Sequence, residues 1–200
     1  MSRSLRLAAY ALVALFGAFE LYTLWLMVNP DVPADYDAYY ISKTTTCLNQ
    51  PVSGAYQGGV VSFLPDGADA AKPIKVCGWE GPAGDGTHAV GTSARLRFAL
   101  TEAVRNPVLR VEAVAIEKDG RGIDQRVEVL IDGEPVGEIV VTGDGPRRFD
   151  VPLNLPVAAA ATTYDVTFEF PEAVKMGPTD PQTRFRSIKL QAAGIVPANA

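Results

Sequence analysis

The chain has 200 residues, 48% of them hydrophobic and 20% charged, with a formal net charge of -5, 15 prolines and 18 glycines. That length suits one apolar anchor and one domain with its own core, and so much glycine and proline suits strands joined by turns rather than long helices. An acidic chain without a Lys/Arg cluster repels phosphate backbones, which sets nucleic acid aside as a partner.

The first element is an apolar run from about Leu5 to Val28. At 1.5 Å per residue it makes roughly 35 Å of helix, enough to cross a hydrocarbon core. Arg3 and Arg6 precede it, while Asp31, Asp35 and Asp37 follow. The positive-inside bias then puts the N-terminus in the cytoplasm and residues 31–200 outside it, as expected of a bacterial inner-membrane protein with a periplasmic or otherwise extracytoplasmic domain. Tyr22 and Trp25 fall towards the outer interface, and Asn29-Pro30 ends the helix. A cleaved signal peptide ending at Val32-Pro33-Ala34 is the competing reading, but signal h-regions run about 7–15 residues and this run is longer. The expected plan is a cytoplasmic stub and transmembrane helix over 1–28, a juxtamembrane linker over 29–46 and a folded domain over 47–195.

Glu20 lies within one helical turn of the middle of this run. Insertion scales charge roughly 2.5–3.5 kcal/mol for an acid such as Asp at a helix centre. Either the carboxyl takes a proton or stretches to the outer headgroups, or it faces a polar group on another integral membrane subunit. Ala11, Ala14 and Ala18 share one face with Gly17 beside them, a small-residue surface that lets a second helix approach, and Glu20 sits at its edge. Ala11, Ala14, Gly17, Ala18 and Glu20 are therefore the candidate partner contacts within the membrane.

Pro30 and Pro33 break helix in the linker, whose Tyr36, Tyr39 and Tyr40 suit either headgroups or the base of the domain. Beyond it stand the chain's two cysteines, Cys47 and Cys77. In an exported domain two is the number that pairs, and closing a loop of about thirty residues stabilises by around 3–4 kcal/mol in the chain-entropy model. With a single histidine, His88, the cysteines match no metal motif, so neither a metal nor a cofactor is expected. The acids of PDGAD, Asp66 and Asp69, read as turn residues rather than calcium ligands.

From residue 60 onward, short runs alternate with period two: VVSFL at 60–64, ARLRFAL at 94–100, VLRVEAVAIE at 108–117, RVEVLI at 126–131, GEIVV at 137–141, RRFDVPL at 147–153, YDVTFEF at 164–170 and FRSIKLQ at 185–191. Asp132-Gly133 between two of them predicts a tight hairpin. PVAAAATT at 156–163 reads as carrying a helical turn. About eight half-buried strands and short turns predict an all-β fold, an antiparallel two-sheet sandwich of jelly-roll-like form, behind one transmembrane helix.

The run CGWEGPAGDGTHAVGTSARLRFAL, then QRVEVLIDGEPVGEIVV, then PTDPQTRFRSIKLQ, resembles the jelly-roll-type accessory domain attached to some bacterial membrane glycosyltransferases and related surface-polysaccharide proteins. Gly78-Trp79, the hairpin from Val127 to Val136 and Asp180-Pro181 fit that family's Gly-Trp loop, its V-x-V-x-[ND]-G-x-x-V hairpin and the Asp-Pro before its last strand. The likeness covers about residues 74–192. One departure is Thr87-His88, where the family often has a tryptophan. The resemblance implies a carbohydrate-associated envelope setting.

No G-x-S-x-G, phosphate loop, H-E-x-x-H or Gly-rich dinucleotide turn is present, so the expected role is non-enzymatic. Trp79, Glu80, Asp85 and His88 share one stretch, where an apolar ring and hydrogen-bonding side chains form a candidate glycan-facing loop. Trp79 next to Cys77 equally suits packing against a disulfide. Two roles stand: an accessory subunit linked to envelope polysaccharide binding, synthesis or export, and a structural subunit of a larger membrane complex.

Overall fold

The computed structural model describes residues 3–29, 47, 51–143, 145–176 and 185–199. The chain divides into two compact units, Met1–Pro33 and Ala34–Ala200. The linker tyrosines and Asp180-Pro181 lie outside the described residues.

The first unit is one helix, α1 (Arg3–Val28), built from leucine, alanine and phenylalanine without an internal proline. It ends where the Asn29 backbone N–H and side-chain amide both donate to the Trp25 carbonyl, at 2.9 and 3.1 Å. None of its residues is buried, and it is long and apolar enough to cross a membrane.

The second unit begins with β1 (Val61–Ser62), a short helix α2 (Ala68–Ala71), β2 (Lys75–Cys77), β3 (Trp79–Ala83), β4 (Gly86–Val90) and β5 (Ser93–Ala99). It continues through β6 (Val104–Arg105), β7 (Pro107–Ala115), β8 (Glu117–Lys118), β9 (Arg121–Gly122), β10 (Gln125–Ile131) and β11 (Glu134–Val141). Then come β12 (Arg147–Pro152), β13 (Val157–Ala158), β14 (Thr163–Glu169), β15 (Val174–Lys175) and the long β16 (Phe185–Pro197). One sheet has the order β12-β7-β16-β4-β3, with β1 and β15 also paired to β16; the other has the order β11-β10-β14-β5-β2. Every pairing between these strands is antiparallel.

Alternation explains the two layers. In β5, Ala94, Leu96 and Phe98 are buried while Arg95 and Arg97 point away, and β14 buries Tyr164, Val166 and Phe168 in the same rhythm. The other sheet supplies Leu109, Val111 and Ala113 from β7 and Ile188 and Leu190 from β16 to the same core. The result is the expected antiparallel two-sheet sandwich. All eight runs singled out by alternation contain strands, and the Asp132-Gly133 turn joins β10 to β11, with both residues at positive φ.

Two details differ from expectation, and a third decides between two readings of Trp79 that the sequence left open. The sandwich has more strands than eight, because β2, β3 and β4 are short pieces around glycine and proline that break the alternating pattern. Residues 156–163 hold no helical turn: Val157–Ala158 pairs with β6 and Ala161 adopts φ 54°, a left-handed conformation that turns the chain into β14. Trp79 lies in the core.

Candidate functional site

The site is best followed along one hairpin. β2 belongs to one sheet and β3 to the other, so the chain changes layers at Gly78, whose φ is +80°. A Cβ there would lie 2.5 Å from the Ala94 Cα and from the Ser93 carbonyl oxygen. Only glycine accepts both that backbone and that approach. The Gly78 carbonyl accepts from the Val90 N–H at 2.8 Å, which closes the root of the β3–β4 hairpin.

Crossing at Gly78 sends Trp79 between the sheets. The ring is 1% exposed, meets Phe168 edge-on with centroids 5.6 Å apart, and lies 6.5 Å from Phe63. Its Nε1–H donates to the Arg95 carbonyl at 3.1 Å, satisfying the one polar atom that burial would otherwise strand. A sugar platform must be accessible, so Trp79 takes the packing role. Cys77, one residue before the corner, is bonded to Cys47 with a Cα–Cα separation of 5.3 Å.

Glu80 follows on the opposite side of the strand and pairs with Arg186 at 2.8 Å. Its carbonyl accepts from Lys75 Nζ and from the Thr87 hydroxyl, the latter at 2.6 Å. Thr87 is buried and serves this internal bond, so the place where the resemblance leads one to look for an aromatic ring is filled by a structural hydroxyl.

The tip turns at Gly84 and Asp85. Asp85 accepts from Lys189 Nζ at 2.6 Å and lies 3.4 Å from His88 Nε2, while its backbone carbonyl accepts from the Gln191 amide at 3.0 Å. The Lys189 hydrogen bond draws the Asp85 carboxyl below the ordinary carboxylate range despite some burial. The Asp85 side chain keeps 50% of its accessible surface. His88 and Lys189 stand opposite each other across β4 and β16, which explains how residues a hundred positions apart form one charged row.

Of the four residues of the predicted loop, Asp85 and His88 are thus brought together at the surface, Glu80 is held in its own ion pair, and Trp79 is separated into the core. Lys75, Arg186, Lys189 and Gln191 complete the arrangement and were not legible as site residues. Lys189 and Gln191 do sit two apart in an alternating strand, the signal that they share a face, but nothing in the sequence tells which strand lies beside it. Chemically, the tip groups one half-exposed carboxylate, an imidazole and cationic and amide donors on one polar stretch of surface. Among the described residues, no group of three or more His, Cys, Asp or Glu side chains is placed to hold a metal ion. An open groove of about 780 Å³ lies elsewhere, lined by Lys118, Asp119, Arg121, Gly122, Ile123 and Asp124, none of them a predicted site residue.

No family model matches the chain, and no curated protein matches it. Solved structures similar to it include the CBM36-1 domain of a multidomain xylanase from the hindgut metagenome of Trinervitermes trinervoides, at 13% identity and a TM-score of 0.41, covering 68% of this chain and 95% of that one. A carbohydrate-binding module CBM36 in complex with calcium and xylotriose matches at 13% identity and a TM-score of 0.40, covering 68% and 98%. Xyl-CBM35 in complex with a glucuronic acid-containing disaccharide matches at 10% identity and a TM-score of 0.31, covering 75% and 91%.

Proposed function

We propose that the chain is a single-pass membrane protein whose extracytoplasmic sandwich is a non-enzymatic accessory module for an envelope glycan, with its N-terminus in the cytoplasm of a bacterial cell. The observation that carries this reading is the tip of the β3–β4 hairpin, where Asp85, His88, Lys189 and Gln191 set acceptors and donors side by side on an accessible sheet face. Such a row matches the alternating donors and acceptors of a sugar ring. The anchor supports an envelope location through its length and its flanking charges, and the disulfide supports an oxidising compartment.

The test is retention of the full-length protein, in mild detergent, on immobilised envelope polysaccharides. Asp85→Ala and His88→Ala should each lower retention while leaving the thermal midpoint within a degree or two. Retention that both variants leave unchanged would remove the hairpin tip from the reading.

A second reading is favoured by a specific observation. Among the described residues of the sandwich, every exposed large apolar side chain is aliphatic, namely Val60, Val140, Leu155 and Val157, while Phe149 and Phe185 are half-buried, so no fully exposed ring is presented for stacking on a sugar there. In this reading the sandwich and α1 are structural parts of a larger membrane complex, and recognition runs through protein surfaces. Co-elution of a stable partner that survives enzymatic removal of glycans would support it over the first.

A further inference from the structure

α1 carries three charged side chains, Arg3 and Arg6 near its start and Glu20 deep in the apolar run. Thr23 donates its hydroxyl to the Glu20 carbonyl at 2.8 Å, which is a backbone contact, and the Glu20 carboxyl itself takes no hydrogen bond or ion pair. In the sandwich, Glu80 finds a donor in Arg186 and Asp165 in Arg97. In the sandwich an acid can also turn to water; in hydrocarbon it cannot.

Resting on the anchored reading above, we propose that the Glu20 face of α1 docks against a transmembrane helix of a different protein that carries an arginine or lysine at the matching depth. Three observations select this occupant. The carboxylate calls for a donor, and a basic side chain supplies donor and charge together. Gly17 stands one turn before Glu20 on the adjoining face, and a Cβ built there would have nothing within 4 Å, so a partner backbone can come close beside the acid. A second copy of this chain in parallel register would bring Glu20 against Glu20, a pair that forms only if one carboxyl gives up its charge by taking a proton, and α1 has no basic residue beyond Arg6 to place opposite it.

The experiment uses the full chain, labelled with a fluorescence donor, in phosphatidylcholine vesicles. Acceptor-labelled leucine-alanine transmembrane probe helices carry a single arginine at the facing depth, or leucine there instead. The arginine probe should associate on the order of 3- to 30-fold more strongly than the leucine probe, the range expected of interhelical polar contacts. Glu20→Leu should abolish that preference. Gly17→Leu, which fills the approach beside the acid, should reduce it several-fold while leaving Glu20 in place, an effect that charge attraction alone would not give. Equal association with both probes would overturn the proposal, and so would self-association that Glu20→Leu weakens, which would make a second copy the occupant. Release of the chain from the vesicles by alkaline carbonate would overturn the anchored reading and this inference together, whereas stable insertion without an arginine preference would overturn this inference alone.

Discussion

The two ends of the β3–β4 hairpin are a few residues apart in sequence and follow opposite rules. At its root, Gly78 and Trp79 are fixed by sterics: a left-handed backbone, a layer change and an indole wedged among Phe63 and Phe168. At its tip, Asp85 is fixed by its ion pair with Lys189 from β16, and His88 lies 3.4 Å from it. A change at the root alters the fold, whereas a change at the tip alters which hydrogen-bonding groups the surface presents. The difference teaches that a contiguous motif need not be one site, because a strand directs successive side chains to opposite faces.

The largest expected effect is at the root. Trp79→Ala should destabilise the domain by about 3–5 kcal/mol, the usual cost of emptying a buried aromatic site. Denaturant unfolding of the parent and variant in the same detergent measures it, and a loss below about 1 kcal/mol would place Trp79 outside the core and dissolve the contrast. Next is the staple beside the root. Replacing Cys47 and Cys77 with serine should cost about 3–4 kcal/mol for a sequence separation of 30. In the native protein both thiols should resist alkylation until reduced, which non-reducing peptide mapping reads directly.

A smaller effect belongs to Tyr56, which is buried and T-shaped against Phe98 at 5.0 Å. Its hydroxyl donates to the Gly59 carbonyl, and it accepts from the Ile195 N–H at 3.1 Å. Tyr56→Phe should cost about 1–3 kcal/mol. Burial pushes its pKa up to about 12 from an ordinary 10.0. Because the folded value is the higher one, the stability it contributes is complete below pH 10 and is lost as pH rises from there towards 12. Alkaline unfolding of the parent should therefore begin in that window, and Tyr56→Phe should flatten that limb of the curve.

The smallest effect is at the tip. Asp85→Asn should change stability by well under 1 kcal/mol, since half-exposed ion pairs are screened. The Lys189 hydrogen bond holds the Asp85 carboxyl below its ordinary 3.8, so its contribution is present above that pH and fades as pH falls through the folded value. Stability measured between neutral pH and pH 3 should show a shallower acid loss in the variant. A tip variant as damaging as Trp79→Ala would erase the distinction between the two ends.

The strands were legible where side chains alternate cleanly, as in RVEVLI and YDVTFEF, because one buried face imposes period two. They were not legible in WEGPAGDGTHAV, where Pro82, Gly81 and Gly84 dilute the pattern of an edge hairpin, yet the chain there is β3 and β4. Trp79 allowed either direction from sequence alone; what settles it is the corner at Gly78, and a glycine in a Cys-Gly-Trp run does not announce its φ. Asp85 and His88 were legible as neighbours by spacing. Lys189 was not, because its place depends on the pairing of β16 with β4, a contact across about a hundred residues that no local rule encodes.

The Cys47–Cys77 bond also determines how tension would run through the molecule. Any pull on the chain before Cys47 passes through sulfur to Cys77 on β2, so the covalent path of the load bypasses β1 and α2. The load therefore reaches the sheet beside β5, the neighbour of β2, one residue before the Gly78 corner. There, separating β2 from β5 by a pull across the strands would stress their hydrogen bonds one after another, while a pull along them would stress several at once. Reduction would reroute the same tension into the segment at Gly54 and Ala55, which is tied to β5 by a bridge to Ala99, by the Arg97 guanidinium bonded to the Val52 carbonyl at 3.4 Å and by the adjoining Tyr56 ring against Phe98. The sulfur bridge thus sets the point at which the domain is held, as well as how firmly it is folded.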